Sequence, residues 1–224
     1  MKTIGFDVYG TLIDTSGVVQ LLSTMTSKAK EISFTWREKQ LEYSFRRALM
    51  QAYVPFVICT KQALQFACDF HQVSLTNEQK EALLQTYSHL PVFDDVISCL
   101  EELQKNNYPL YAFSNGTQKA VKTLLDNANI KDYFTDIISV DDIKSFKPNP
   151  TVYKHFLKQA HTKADDAYLV SSNSFDILGA KNAGLGGIWV NRNHAILDPW
   201  GIAPNVEISS LDKLVHFLQT QPTT

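Results

Sequence analysis

Four short stretches carry the side chains with usable chemistry. Asp7-Val8-Tyr9-Gly10-Thr11 sets a lone carboxylate directly after an apolar run and ahead of a Gly-Thr turn. Ser114-Asn115-Gly116-Thr117 places a hydroxyl and an amide in a turn sequence. Lys147-Pro148-Asn149-Pro150 holds a lysine in a proline-bracketed loop. Ser171-Ser172-Asn173-Ser174-Phe175-Asp176 gathers hydroxyls, an amide and a second carboxylate. A carboxylate that ends a buried run needs partners to offset its desolvation, and Lys147 is the natural one. Together these groups suit covalent catalysis, with Asp7 as nucleophile and Asp176 helping to activate a water.

The stretches lie up to about 170 residues apart, so a fold must gather them. Strand-like apolar runs occupy 3–8, 110–113, 136–140, 167–170 and 187–190, and each stretch follows one of the first four. Helical patterns fill 94–106, 118–127, 150–159 and 177–183 between and after them. Such alternation implies βαβ units and an open parallel sheet. Parallel strands present their C-terminal ends to one edge, where ligands bind at a switch in strand order.

A helical segment separates the first strand from the rest. Apolar residues at three- and four-residue intervals run from Trp36 through Phe45 to Leu49 and Tyr53. Pro55 is expected to end or kink that helix near Val54. Residues 61–70 and 77–90 read as two more helices, the latter opened by Thr76 with Gln79 in a capping-box pattern. The chain is therefore read as α/β: a Rossmann-like open parallel sheet core, formed by 1–14 and 92–224, with an inserted all-helical cap over 15–91. The polar tail 219–224 is expected to fray.

This ordered set resembles the haloacid dehalogenase superfamily over nearly the whole chain, and most closely its L-2-haloacid dehalogenases. Their opening motif, Asp-x-Tyr-Gly-Thr, matches Asp7 to Thr11. Their cap helix, Trp-Arg-x-Lys-Gln-Leu-Glu-Tyr, matches Trp36 to Tyr43. Lys-Pro followed by Val-Tyr matches Lys147-Pro148 and Val152-Tyr153, and Ser-Ser-Asn-x-aromatic-Asp matches Ser171 to Asp176. The resemblance implies a haloacid dehalogenase-like fold. It also implies hydrolysis of short L-2-haloalkanoic acids to D-2-hydroxyalkanoic acids with inversion, through an aspartyl ester, without cofactor or metal.

Physics separates this reading from that of a magnesium-dependent phosphatase of the same superfamily. A phosphatase there uses a second aspartate, two residues after the nucleophile, to protonate an alcohol. Halide leaves as a stable anion and needs no proton. Tyr9 stands at that position and offers an apolar wall with a polar tip. Asn173 stands where a further magnesium-binding acid is expected, and Mg²⁺ favours anionic oxygen. A non-catalytic binding protein of the same fold is a further alternative, against which the complete set of Asp7, Lys147 and Asp176 argues.

The resemblance assigns further roles, each beside an ordinary structural one. Arg37 receives the departing halide, although an arginine on a helix is usually just solvated. Asn115 is a second halide-side donor, or an αL turn residue before Gly116. Ser114 and backbone N–H groups near Thr11 bind the substrate carboxylate, while Thr11 also suits a helix cap. Ser171 and Asn173, with Asp176, orient Lys147 and the hydrolytic water; both also suit helix capping. Tyr153 bonds into this network or simply packs in the core. Tyr9, Leu41, Phe56 and Phe175 match apolar pocket positions. Phe175 departs from the family, where tryptophan is common, which bears on substrate preference more than on mechanism.

Composition narrows the classes. The 224 residues are 44% apolar, enough for a sizeable core, and carry a formal charge of −2 at pH 7. That charge gives no broad basic surface for nucleic acid. No apolar run reaches membrane-span length, and Met1-Lys2-Thr3 leads straight into a strand pattern without a secretory leader. The odd set Cys59, Cys68 and Cys99 fits core filling in a reducing, cytoplasmic compartment, and six scattered histidines form no metal-ligand spacing. A homodimer is expected from the family.

Overall fold

A computed structural model describes residues 2–220. In chain order, β1 (Thr3–Phe6) is followed by α1 (Ser16–Ser23), α2 (Ala29–Leu49), α3 (Phe56–Phe70) and α4 (Asn77–Thr86). Alternation then begins: α5 (Val96–Lys105), β2 (Leu110–Ser114), α6 (Gln118–Asn127), β3 (Asp136–Ser139), α7 (Pro150–Gln159) and β4 (Ala167–Ser171). It ends with α8 (Ser174–Asn182), β5 (Gly186–Val190), β6 (Val206–Ile208) and α9 (Leu214–Thr220). Helix α9 includes residues 219 and 220, and the rest of the tail expected to fray, 221–224, lies outside the described residues.

The strands form one sheet in the order β3-β2-β1-β4-β5-β6, with every neighbouring pair parallel. Strand order reverses at β1, so the ligand-binding crevice of an open α/β sheet falls at its C-terminal end. Strand β1 is covered on both faces: Ile4 and Phe6 are fully buried on one, each worth roughly 1.5–3 kcal/mol of apolar burial, and Phe156 packs against Gly5 on the other. The ladder stops at Phe6 rather than running to Val8. Asp7 N–H makes one last bond to the Val170 carbonyl, and the chain then turns, with Gly10 N–H bonded to the Ile13 carbonyl. Gly10 has φ +82, a left-handed conformation that glycine adopts at little cost.

The helical segment departs from its sequence pattern in three places. Helix α2 starts before Trp36 and ends at Leu49, after which the chain passes through a left-handed Gln51, so Pro55 neither ends nor kinks the helix. Pro55 instead precedes α3, where the missing N–H is one that a helix start leaves unpaired anyway, and α3 begins at Phe56 rather than Lys61. Helix α4 stops at Thr86, short of Leu90. At its start the Thr76–Gln79 capping box forms in both directions. Helices α1 and α9 and the short strand β6 are additions to the sequence reading.

Candidate active site

Asp7 lies at the turn out of β1 and is 8% exposed. One oxygen, Oδ2, accepts from Asn173 Nδ2 at 2.8 Å, Thr11 Oγ1 at 3.1 Å and Ser171 Oγ at 3.3 Å. The other, Oδ1, accepts from Lys147 Nζ at 3.1 Å. Thr11 Oγ1 also accepts from the Ser172 N–H at 2.8 Å, which ties the β1 turn to the end of β4. These donors come from the ends of β1 and β4 and the loop after β3, the convergence that parallel topology requires.

Lys147 is 1% exposed and sits between two carboxylates, with Asp176 Oδ2 at 2.8 Å; its third donor goes to the Phe113 carbonyl at 2.9 Å. Burial alone would lower the lysine's pKa, but Asp176 and Asp7 outweigh it and hold the value above the usual lysine range. Asp176 is fully buried, and its other oxygen accepts from Tyr153 Oη at 2.7 Å. Burial raises the Asp176 pKa, opposed by Lys147 and reinforced by Asp7. Gly179 makes room for this contact: a Cβ there would lie 2.3 Å from the Tyr153 hydroxyl oxygen.

The helical segment closes over this edge. Arg37, on α2, donates to Asn173 Oδ1 at 3.0 Å and to Gln40 Oε1 at 2.8 Å. Burial lowers its pKa, opposed by the ionised forms of Tyr87 and Asp7, and among the described residues it has no carboxylate at ion-pair distance. Asn173 is thus polarised between a cation on its oxygen and the Asp7 carboxylate on its nitrogen. Tyr87 packs edge-on between Trp36 and Tyr9, with ring centroids 5.6 and 5.9 Å away. Burial pushes the Tyr87 phenol up to about 12 and the Tyr9 phenol further, so neither gives up a proton near neutrality. A cleft of about 870 Å³ is lined by Tyr9, Arg37, Phe56, Tyr87, Asn173 and Arg192, among others.

Comparison with known proteins agrees with this fold. A profile of the haloacid dehalogenase-like hydrolases matches residues 4–190. The chain belongs to that family. It is 36% identical over 219 residues to (S)-2-haloacid dehalogenase 2 of Pseudomonas sp. strain CBS-3, covering 97% of this chain and 96% of that one. Identity to the (S)-2-haloacid dehalogenase of Pseudomonas sp. strain YL is 33% over 221 residues, covering 98% and 95%. The L-2-haloacid dehalogenase of Xanthobacter autotrophicus, in a structure with chloropropionic acid covalently bound, superposes with a TM-score of 0.91 at 28% identity, covering 99% and 100%.

Within this haloacid dehalogenase-like frame, the expected residues fall into groups. Asp7, Thr11, Lys147, Tyr153, Ser171, Asn173 and Asp176 form one hydrogen-bonded cluster, which Arg37 joins through Asn173. Asn173 occupies the N-cap position of α8 without a side-chain cap bond, because its amide serves Asp7 and Arg37 instead. Thr11 caps no helix; α1 starts after Thr15. Asn115 accepts from the Lys147 N–H at 2.9 Å and so anchors the lysine loop; neither it nor Gly116 has positive φ, which corrects the αL expectation. Ser114 Oγ accepts from the Gly116 N–H at 3.1 Å. The N–H groups of Gly10, Thr11 and Leu12 are engaged inside the turn, Thr11 most loosely at 3.3 Å. Tyr9 and Phe56 line the cleft, whereas Leu41 and Phe175 do not; Phe175 packs edge-on against Phe45, with centroids 5.1 Å apart.

Four residues escaped the sequence reading. Gln40 and Tyr87 touch the Arg37 environment, and Gly179 admits Tyr153. Arg192 pairs with Asp95 and donates to the Thr11 carbonyl at 3.1 Å, bracing the nucleophile turn. Only its place just after β5, at the same sheet edge, signals the last of these.

Proposed function

We propose that this chain is a hydrolytic dehalogenase. It converts short-chain L-2-haloalkanoic acids to D-2-hydroxyalkanoic acids and halide, with inversion, through an ester on Asp7. The carrying observation is that two unlike cations flank one carboxylate: Lys147 is consumed by Asp7 and Asp176, while Arg37 is a half-buried cation with no anion at ion-pair distance among the described residues. A partly desolvated charge without a counterion favours an arriving one.

Three hydrogen bonds fix Oδ2 of Asp7, so Oδ1, held by Lys147 alone, keeps a lone pair for attack. It bonds to the substrate α-carbon as the carbon–halogen pair leaves with halide toward Arg37. Displacement from the rear inverts that carbon. Ser114 and backbone N–H groups near Thr11 receive the substrate carboxylate, whose charge Lys147 offsets from its place beside Asp7. Water then attacks the ester carbonyl, so the inversion persists. Asp176, its pKa raised by burial, takes a proton from the water. The bond between the Asp7 acyl carbon and the product oxygen breaks, that oxygen takes the proton as a hydroxyl, and Asp7 is left as a carboxylate with the remaining proton passing to solvent. Tyr9 supplies no acid, and none is needed for halide. No step calls for a metal. Where a magnesium-dependent relative needs another oxygen anion, Asn173 turns an N–H donor toward Asp7.

On this reading residues 15–91 are a cap that excludes water from a core of 1–14 and 92–224. Exposed Leu49, Met50 and Phe70 on and beside α2 and α3 support a homodimer through the cap, which sedimentation tests. The three cysteines are free and buried, in keeping with a cytoplasmic enzyme. No helix among the described residues is long and apolar enough to cross a membrane.

The function is tested by halide release from the two enantiomers of 2-chloropropanoate, with and without chelator. Chloride should appear from the S enantiomer alone and in both conditions. Chelator-sensitive hydrolysis of phosphate esters without halide release overturns the reading. A single turnover in heavy-oxygen water should give unlabelled product oxygen and leave label on Asp7.

A further inference from the structure

The buried stripe of α2 runs Ala29, Ile32, Trp36, Gln40, Ser44. An amide in the middle of such a stripe is out of place unless it is fully bonded. Gln40 is 2% exposed, and both ends of its side chain are used: Oε1 accepts from Arg37 at 2.8 Å, and Nε2 donates to Thr60 Oγ1 at 2.7 Å. Thr60, on α3, donates its own hydroxyl proton to the Phe56 carbonyl at 3.0 Å. A hydroxyl has one proton, so Thr60 can only accept from Gln40. Gln40 must then present its NH₂ to Thr60 and its oxygen to Arg37. Arg37, a donor only, requires that same orientation. The backbone next to Arg37 is pinned as well, because Trp36 Nε1 donates to the Thr60 carbonyl at 2.8 Å.

We propose that Gln40, held by Thr60, is a positioning residue that presets the Arg37 guanidinium for the departing halide. This rests on the dehalogenase reading above. Arginine carries large rotamer entropy, and a donor that must first be ordered stabilises a leaving anion less than one already in place. The second arm of Arg37 reaches Asn173, which also holds Asp7, so the relay Thr60–Gln40–Arg37–Asn173–Asp7 sets the halide donor relative to the nucleophile. Gln40 and Thr60 border the cleft, but both polar ends of Gln40 are spent on Arg37 and Thr60, so it acts through Arg37. It fixes where the charge stands when the carbon–halogen bond breaks.

A leaving group's need for a donor grades with the halide. Chloride is the poorer leaving group and the stronger hydrogen-bond acceptor, so misplacing Arg37 slows its departure more than bromide's. The experiment is kcat/KM for (S)-2-chloropropanoate and (S)-2-bromopropanoate in wild type, Gln40→Met and Thr60→Val. This parameter reports the steps up to halide departure and leaves out ester hydrolysis. Both substrates are measured on one preparation, so any unfolded fraction cancels from the ratio. In Gln40→Met the bromo/chloro ratio should rise roughly fivefold to tenfold, because only part of the roughly tenfold to 150-fold cost of losing a hydrogen bond to a charged group differs between the two halides. Thr60→Val should move it the same way by less, and Thr60→Ser by less again. Inhibition by added bromide should weaken in the same order. A ratio and bromide inhibition that stay at wild-type values in Gln40→Met overturn the positioning role while leaving the dehalogenase reading intact. If wild type releases no halide from either acid, both fall together.

Discussion

Lys147 and Arg37 are the two cations bonded to the Asp7–Asn173 pair, and they are held in opposite ways. The sheet edge gives Lys147 two carboxylates and a carbonyl. Arg37, on the helical segment, has two neutral amides, Gln40 from its own helix and Asn173 from the sheet edge. Their pKa values move in opposite directions as a result, up for Lys147 and down for Arg37. The sheet edge is electrostatically closed before substrate arrives: its charges organise one another and hold a nucleophile. The helical side is electrostatically open, and its charge is kept for something that comes and goes. A reaction that binds one anion and expels a second needs both kinds of region.

The largest effects should come from the sheet edge. Asp7→Asn removes the nucleophile, and halide release should fall by roughly 10⁴-fold or more while far-ultraviolet circular dichroism stays native. Measurable turnover near the wild-type rate would defeat the covalent mechanism. Lys147→Met should cost activity and stability together, since it leaves Asp7 and Asp176 buried without their cation, a loss of about 3–5 kcal/mol in chemical denaturation. Its pH dependence has a definite sign. The folded Lys147 pKa lies above the unfolded one, so its contribution is whole below about pH 10.4 and is lost as pH rises through the folded value. Wild type should therefore lose its advantage over Lys147→Met only in strong alkali, and an advantage already gone at pH 8 would show that the lysine is not ion-paired.

Arg37→Gln breaks the comparison from the other side. No carboxylate is left unpaired, so the stability change should stay near 1 kcal/mol, while kcat/KM falls by roughly 10²-fold for want of a preset donor. A destabilisation as large as that of Lys147→Met would mean that the helical cation is structural too.

The same contrast explains what could be read beforehand. The sheet-edge residues were legible because a parallel sheet converts order along the chain into position at one edge. Once the strands before Asp7, Ser114, Lys147 and Ser171 were recognised, their meeting followed. The helical side has no such rule. Arg37 was legible only through resemblance, since helical spacing also fits a solvated arginine. Gln40 follows the charged Arg37-Glu38-Lys39, so nothing local marks it as interior, and its amide is satisfied by Thr60, twenty residues on. Tyr87 falls in the predicted helix 77–90, whereas the helix stops at Thr86, and helical spacing gives no sign that the ring stands between Trp36 and Tyr9. Leu41 and Phe175 matched pocket positions by motif, yet motif position does not say which way a ring faces; Phe175 turned to Phe45.

The smallest effect probes whether the helical segment's stability and its chemistry are separable. Thr76 and Gln79 close the start of α4 through their reciprocal bonds, and the other end of α4 delivers Tyr87 to the cleft. Thr76→Ala removes a cap worth about 1 kcal/mol, which a shift in denaturation midpoint will register. Ten residues of helix stand between the cap and Tyr87, and Tyr87 is held by Trp36 and Tyr9 rather than by the cap. The bromo/chloro ratio of kcat/KM should therefore stay at its wild-type value in Thr76→Ala even as the midpoint falls. A ratio that moves with the midpoint would mean that the Arg37 geometry depends on the whole helical segment staying rigid, and not on the local relay through Gln40 and Thr60.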